Sequence, residues 1–454
     1  MMRSKRKGTA PALLGASLLA VAVMTVVASA QNPRANRLDT TRLQDIVNEV
    51  ADLVVEHHLF PDVGQACAEH IRSRMAAGGY DDIRDPARLA RALTTDLHSV
   101  KKDAHLRVEF GPPRSIQDES LDAEELRRRQ FATYGRDNFG FIKFEVLDGT
   151  IGYLDLRAFA PVDIAGDTAV AAMNLLANSE AIVIDVRNNL GGTGEMVQLI
   201  ASYFFSKRIH LISYETRGEK RVKKSWTQRR VKGRRIPETP LFILTSKGTA
   251  SAAEEFAYDL KHHDRATVIG ETTAGGGHGA YVARAADIFN VVIPNSRPIH
   301  PVTGTDWDGV GVKPHIDVPA SLALCHARLE ALKAVEARAG RKEPSLKVKW
   351  AAETIEAQMN PVTVPQAALA KYAGNYGPLV VSMKNGALWA RWVDDRFSHR
   401  LTPLSMTRFA AQREGELPPF EVRVEFTPDR SGKVVALQLE RADIGHSVEL
   451  NRER

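Results

Sequence analysis

The segment Leu244-Thr-Ser-Lys-Gly-Thr-Ala-Ser251-Ala-Ala-Glu-Glu-Phe-Ala-Tyr258 holds the residue best placed for covalent chemistry. An apolar run that reads as a buried strand ends, a short polar turn follows, and a helix begins with Ser251 near its first turn. A serine there has its hydroxyl at the positive end of the helix dipole, beside backbone N–H groups with no partner inside the helix. Such groups can hold a developing oxyanion, although an ordinary N-cap serine reads the same way. A second segment, Ile184-Asp-Val-Arg-Asn-Asn-Leu-Gly191-Gly192, is another apolar strand running into a glycine-bearing turn and a helix. Glycine lets backbone N–H groups approach a ligand closely. Each segment alone is a weak signal; the two in this order on successive strands are a specific one. The chemistry they permit is acyl transfer to serine, which needs neither a metal nor an organic cofactor.

The elements that must position these residues alternate. From Phe139 onward, short apolar strands (151–156, 181–186, 241–244, 267–269) alternate with helices (167–177, 194–205, 250–261), the pattern of a layered α/β core. Before it, Leu43, Ile46, Val47, Val50 and Val54 recur at helical spacing, and further helices are expected from Val63 to Met75 and from Pro86 to Leu97. After the Pro361–Pro365 break come short alternating strands, with Asn385-Gly386 and Ser431-Gly432 where tight turns belong. The expected division is a signal peptide (1–30), an N-terminal helical domain (35–112), a connector (113–138), a catalytic α/β domain (139–340), a linker (341–364) and a C-terminal antiparallel β domain (365–454).

Ile151-Gly-Tyr-Leu-Asp-Leu, Asp185-Val-Arg-Asn-Asn-Leu-Gly-Gly, Thr249-Ala-Ser-Ala-Ala-Glu, Ile269-Gly-Glu-Thr-Thr-Ala-Gly-Gly-Gly-His278 and Trp307-Asp-Gly-Val-Gly-Val-Lys-Pro314 together resemble the core motifs of the tail-specific, or C-terminal-processing, serine proteases. With Asp103-Ala-His-Leu-Arg-Val108, they are most similar to the branch of the interphotoreceptor retinoid-binding protein and its bacterial relatives. The resemblance implies a ClpP/crotonase-like core of ββα units. It makes Ser251 the nucleophile, and Ala252 with Gly191 or Gly192 the source of the oxyanion-hole N–H groups. The processing proteases carry a lysine base in Thr-x-Gly-Lys-Gly; here Gly276 stands in its place. In the branch without that lysine the base comes from the preceding domain, which points to His105, with His278 as rival. Asp308 falls where that branch has a glutamate. The stretch 111–140 is too short for the PDZ module of the processing members. The C-terminal motif Leu369-Ala-Lys-Tyr372-Ala-Gly374-Asn-Tyr376 is similar to a small β domain that trails exported serine hydrolases. The retinoid-binding relatives imply the competing function, a non-catalytic binder of an apolar ligand or peptide. A scaffold acting through the β domain is a third.

The 454 residues, 44% hydrophobic and 26% charged, suit two or three soluble domains. The formal charge of +6 includes Arg3, Lys5, Arg6 and Lys7, which precede an apolar stretch, Leu13 to Val27, and the small-x-small sequence Ala28-Ser-Ala30. That is the pattern of a cleaved export signal, so a periplasmic or extracellular location is expected. Cys67 and Cys325 read as two free thiols or one disulfide, and their spacing gives no metal site. Arg217 to Arg235 is dense in bases, which suits a solvated connection or a contact with acidic peptide or anionic lipid. The partner expected is a polypeptide substrate; no fold cue points to nucleic acid, and oligomeric state is not encoded legibly. Cleavage after Ala30 gives a mature N-terminus at Gln31. Intact-mass measurement on protein from its own envelope fraction checks this, and retained Met1 would contradict it.

Overall fold

The computed structural model describes residues 38–453 apart from 104, 113–121, 341–342, 344, 395–397, 414–421 and 442–444. The expected signal peptide and part of the connector lie outside these residues. Three helices come first: α1 (Thr40–His57), α2 (Pro61–Ala76) and α3 (Pro86–Val100). Asp39 and Asp85 cap α1 and α3, their carboxylates accepting from the N–H groups of Arg42 and Arg88. A strand, β1 (Arg107–Phe110), and a helix, α4 (Ala123–Tyr134), follow. The alternating region then runs β2 (Phe141–Leu147), β3 (Ile151–Leu156), α5 (Val162–Leu176), β4 (Ala181–Asp185), α6 (Gly194–Ala201), β5 (His210–Thr216), β6 (Lys223–Trp226) and β7 (Leu241–Thr245). It continues with α7 (Ala252–His262), β8 (Thr267–Gly270), β9 (Gly279–Ala285), β10 (Phe289–Ile299) and β11 (Ile316–Asp317). Helices α8 (Ala320–Arg338), α9 (Leu346–Met359) and α10 (Gln366–Tyr372) lead into eight strands, β12 (Gly374–Tyr376) through β19 (His446–Asn451), paired in chain order as one antiparallel sheet.

The chain is thus mixed α/β, with a helical N-terminal region and an antiparallel sheet at its C-terminal end. Its central sheet has the order β11-β8-β7-β4-β3-β2, parallel except for the β2–β3 pair. Strands β3, β4 and β7 are buried at every position, which explains why they read as continuous apolar runs. Alternate residues go to opposite faces. Ile182 and Ile184 join Ala169, Met173, Ile200 and Phe256 from α5, α6 and α7, whereas Ala181 and Val183 meet Ala323, Ala327 and Ala331 of α8. Both Ser251 and the Gly191-Gly192 turn lie just beyond the C-terminal ends of neighbouring strands, where open parallel sheets place their sites.

A second sheet, β1-β10-β5-β6 with β9 on β10, was not legible in the sequence. Its longest strand contains Pro294 and Pro298, a residue type that counts against a strand interior. Pro294 sits at a shift of register opposite β9, where a strand tolerates proline, and its carbonyl accepts from Leu59 N–H at 2.8 Å. This sheet ties the helical region to the rest: β1 pairs with β10, and Phe289, Val291 and Ile293 pack among the apolar residues of α1–α3. Helix α5 begins at Val162 rather than 167, directly after Pro161. Cys67 is a buried free thiol and Cys325 a half-buried one. The basic stretch includes one short strand, β6; Arg235 at its end donates to the carbonyls of Phe205 and Gln228 at 2.9 and 2.6 Å, a structural tie. Among the described residues no helix is long and apolar enough to cross a membrane.

Ile184→Ala removes side-chain volume from a fully buried position between β3 and β7. It is expected to cost about 2–5 kcal/mol, read as an earlier midpoint in urea denaturation of the full chain.

Candidate active site

Ser251 closes the turn after β7 and caps α7 with φ 55° and ψ −125°. A non-glycine residue in such a region costs about 1–3 kcal/mol and persists only where its surroundings impose it. They do so through Glu254, which is fully buried. Its Oε2 accepts from the N–H groups of Ser251 (2.8 Å) and Gly276 (2.9 Å), and its Oε1 from Thr273 Oγ1 (2.5 Å) and Gly275 N–H (2.6 Å). One carboxylate therefore fixes both the serine and the glycine loop beside it. The same turn is tied to the loop after β4: Ala250 N–H donates to Asn189 O, and Thr249 Oγ1 to Val186 O.

The two glycines of that loop differ. Gly191, at φ 105°, lies so close that a Cβ there would come 2.8 Å from the Ser251 Cβ, and at Gly192, φ 143°, a Cβ would collide with the Phe159 carbonyl. Both positions therefore require glycine. Gly191 N–H is committed to Asn189 Oδ1 at 2.8 Å. The N–H groups of Gly192 and of Ala252 have no acceptor among the described residues. Ser251, Ala252 and Gly192 line a cavity of about 180 Å³ together with Gly276, His278, Tyr214, Glu255 and Trp307.

His105 and His278 approach from different sides, with ring centroids 6.4 Å apart. His105 stands outside the cavity lining; its Nε2 lies 4.0 Å from where a Gly276 side chain would begin. The acid nearest to it is one the sequence reading passed over: His105 Nδ1 is 3.3 Å from Asp103 Oδ1 and 3.8 Å from Asp308 Oδ1. The Asp103-x-His105 spacing was the available signal, since Asp103 also accepts from the His105 N–H at 2.8 Å and so turns the chain back on itself. Asp308 is shared: its Oδ2 lies 3.2 Å from His278 Nδ1, while its Oδ1 accepts from the N–H groups of Gly277 and His278. The Asp103 carboxylate raises the His105 pKa above the ordinary histidine value, against the opposing effect of burial.

The cavity floor is acidic, which the sequence did not reveal. Glu255, one helical turn after Ser251, receives the Tyr214 hydroxyl at 2.5 Å. Burial pushes its carboxyl up to about 7. Asp259, a turn further on and fully buried, is raised well above the carboxylate range by burial and by Glu255. His300, 4.0 Å from Asp259, is pushed down to about 3 by burial and stays neutral.

Comparison with known proteins bears on this arrangement. Residues 150–318 match peptidase family S41, and residues 39–130 match the N-terminal domain of peptidase S41 in eukaryotic IRBP; these two stretches of the chain belong to that family. Among curated proteins, "Carboxyl-terminal-processing peptidase 2, chloroplastic" of Arabidopsis thaliana is 32% identical over 176 residues, which is 38% of this chain and 32% of that protein. The carboxy-terminal processing protease CtpA of Bacillus subtilis is 29% identical over 134 residues, 29% of this chain and 28% of its own. The matches thus span about a third of the length of these relatives. Among solved structures, a photosystem II D1 C-terminal processing protease is similar over 62% of this chain and 94% of its own, at 16% identity and a TM-score of 0.43.

Glu254→Ala strips four donors of their acceptor, and each buried donor left unpaired costs about 1–3 kcal/mol. The expected result is a lowered thermal midpoint and faster amide exchange confined first to residues 251–253 and 273–276.

Proposed function

We propose that this chain is an exported serine peptidase that cleaves polypeptides through an acyl-enzyme on Ser251, with a histidine–acid base in place of lysine. The observation that carries the proposal is the strained Ser251, braced by Glu254 between the two uncommitted N–H groups of Ala252 and Gly192. A scaffold that only bound ligand would have no use for that strain. In the reaction Ser251 Oγ bonds to the substrate carbonyl carbon and its proton passes to His105 Nε2. The carbonyl oxygen, now negative, is held by the Ala252 and Gly192 N–H groups. The C–N bond then breaks, and the leaving amine takes the proton from His105. Water repeats the sequence to release the acyl group.

His105 is assigned as base because its Nε2 lies 4.0 Å from where a side chain at Gly276 would begin, on the loop bonded to the same Glu254 oxygen as Ser251. Asp103, with Asp308 behind it, orients the ring. The rival assignment has its own support, since His278 lines the cavity with Ser251. The binding function for an apolar ligand is disfavoured by the cavity itself. Ligand pockets run from roughly 300 Å³ upward and are mostly apolar, whereas this one is about 180 Å³ and floored by Glu255.

Ser251→Ala is expected to fold normally and to lower hydrolysis of a disordered protein substrate by about 10⁴–10⁶-fold. His105→Ala should cost nearly as much, and the double variant no more than either, because members of one catalytic unit are not additive. His278→Ala should retain a substantial rate; the reverse outcome would transfer the base to His278. The pH profile supplies a further check. Activity requires neutral His105, so kcat/KM rises with pH through the histidine pKa, which Asp103 raises. Asp103→Asn removes the charge that favours imidazolium, so the acid limb should move to lower pH while the plateau falls.

A further inference from the structure

We propose that Asp103, His278 and Asp308 form a binding site for a divalent transition metal, Zn²⁺ by their chemistry, at the seam between the helical region and the glycine loop. A ligand atom from each of the three lies within 4.8 Å of those of the other two. A tetrahedral Zn²⁺ with bonds of about 2.0–2.2 Å has ligands about 3.3–3.6 Å apart, and His278 Nδ1 already lies 3.2 Å from Asp308 Oδ2.

The His278 ring supplies the independent observation. Its side chain is only 9% exposed. Its Nδ1 is buried without a hydrogen-bond partner among the described residues, although a carboxylate oxygen stands 3.2 Å away. On the far side of the ring Nε2 faces Asp306 Oδ2 at 3.7 Å. A carboxylate there favours the tautomer with its proton on Nε2, the arrangement that orients histidine ligands of metals. The Nδ1 lone pair then faces the Asp308 carboxylate, a repulsive pairing that a cation between them turns into two bonds. Both carboxylates are held from behind by backbone N–H groups: Asp308 by Gly277 and His278, Asp103 by His105. Each keeps an oxygen for the metal.

The donors are numbered 103, 278 and 308, so no spacing in the sequence announces them. Strand pairing between β1 and β10 carries Asp103 to the loop that precedes β9. His105 is not a ligand in this set, but its Nδ1 is 3.3 Å from Asp103. A metal on the other Asp103 oxygen shares the carboxylate that orients His105, so occupancy of the site and base function compete. This last consequence rests on His105 as the base; the metal site itself does not.

The test uses the full chain carrying Ser251→Ala, titrated with Zn²⁺ by calorimetry and with Co²⁺ by visible absorption. One Zn²⁺ per chain with micromolar or tighter affinity is expected, with Co²⁺ bands of low coordination number. Asp308→Asn and, separately, Asp103→Asn should each weaken binding about 10–100-fold with unchanged circular dichroism, while His105→Ala binds as before. Absence of binding up to millimolar Zn²⁺ would overturn the site. So would an affinity that neither aspartate variant alters, which would mark adventitious binding elsewhere. With Ser251 present, Zn²⁺ at a filling concentration should stop hydrolysis and a chelator restore it. Full activity with the site filled would overturn the competition with His105.

Discussion

The buried carboxylate of Glu254 is the constraint from which the site is built. Four donors converge on its two oxygens at 2.5–2.9 Å, from the serine backbone and from three residues of the loop after β8. A carboxylate with zero exposure is tolerated only when its lone pairs are satisfied. Here one of the donors is the N–H of Ser251, held at a positive φ. Another is the N–H of Gly276, which lines the same cavity as Ser251 and has His105 Nε2 4.0 Å from where its side chain would begin. The strain at Ser251 and the placement of the Gly275-Gly276 loop are tied to one carboxylate.

The fold holds this arrangement through two sheets that meet at the site. The parallel sheet delivers Ser251 and Gly192 from the ends of β7 and β4, at neighbouring positions because those strands pair directly. The antiparallel sheet delivers His105 from the helical region, because β1 joins β10 two residues further on. A helical region held only by side-chain packing would leave the base loosely placed. Backbone pairing fixes its register instead. Glu255 lines the cavity between them, and burial pushes its carboxyl up to about 7.

Much of this was legible in sequence where a local pattern encoded it. The strands 151–156, 181–186 and 241–244 announce themselves because burial on both faces demands unbroken apolar runs. Ser251 and the Gly191-Gly192 turn stand out because each follows such a run and opens a helix. Strand β10 did not, since prolines count against a strand interior and only long-range pairing makes one there. Asp308 and His278 were found as members of motifs 30 residues apart, yet the approach of Asp103 to both depends on contacts between residues more than 150 positions apart. Glu255 was passed over because glutamate at the start of a helix is ordinary; only the cavity beside it gives it meaning. The choice between Gly191 and Gly192 as oxyanion donor rested on one hydrogen bond, from Gly191 to Asn189, that no sequence pattern displays.

In the proposed mechanism Ser251 is made nucleophilic by His105 across Gly276. A serine-reactive phosphonate tests it most directly, with the modified residue located by peptide mass spectrometry and the rate of labelling followed in variants. A single adduct on Ser251 is expected, formed at a rate that falls by orders of magnitude in His105→Ala and is largely kept in His278→Ala. Labelling on another residue, or none on Ser251 in folded protein, would contradict it.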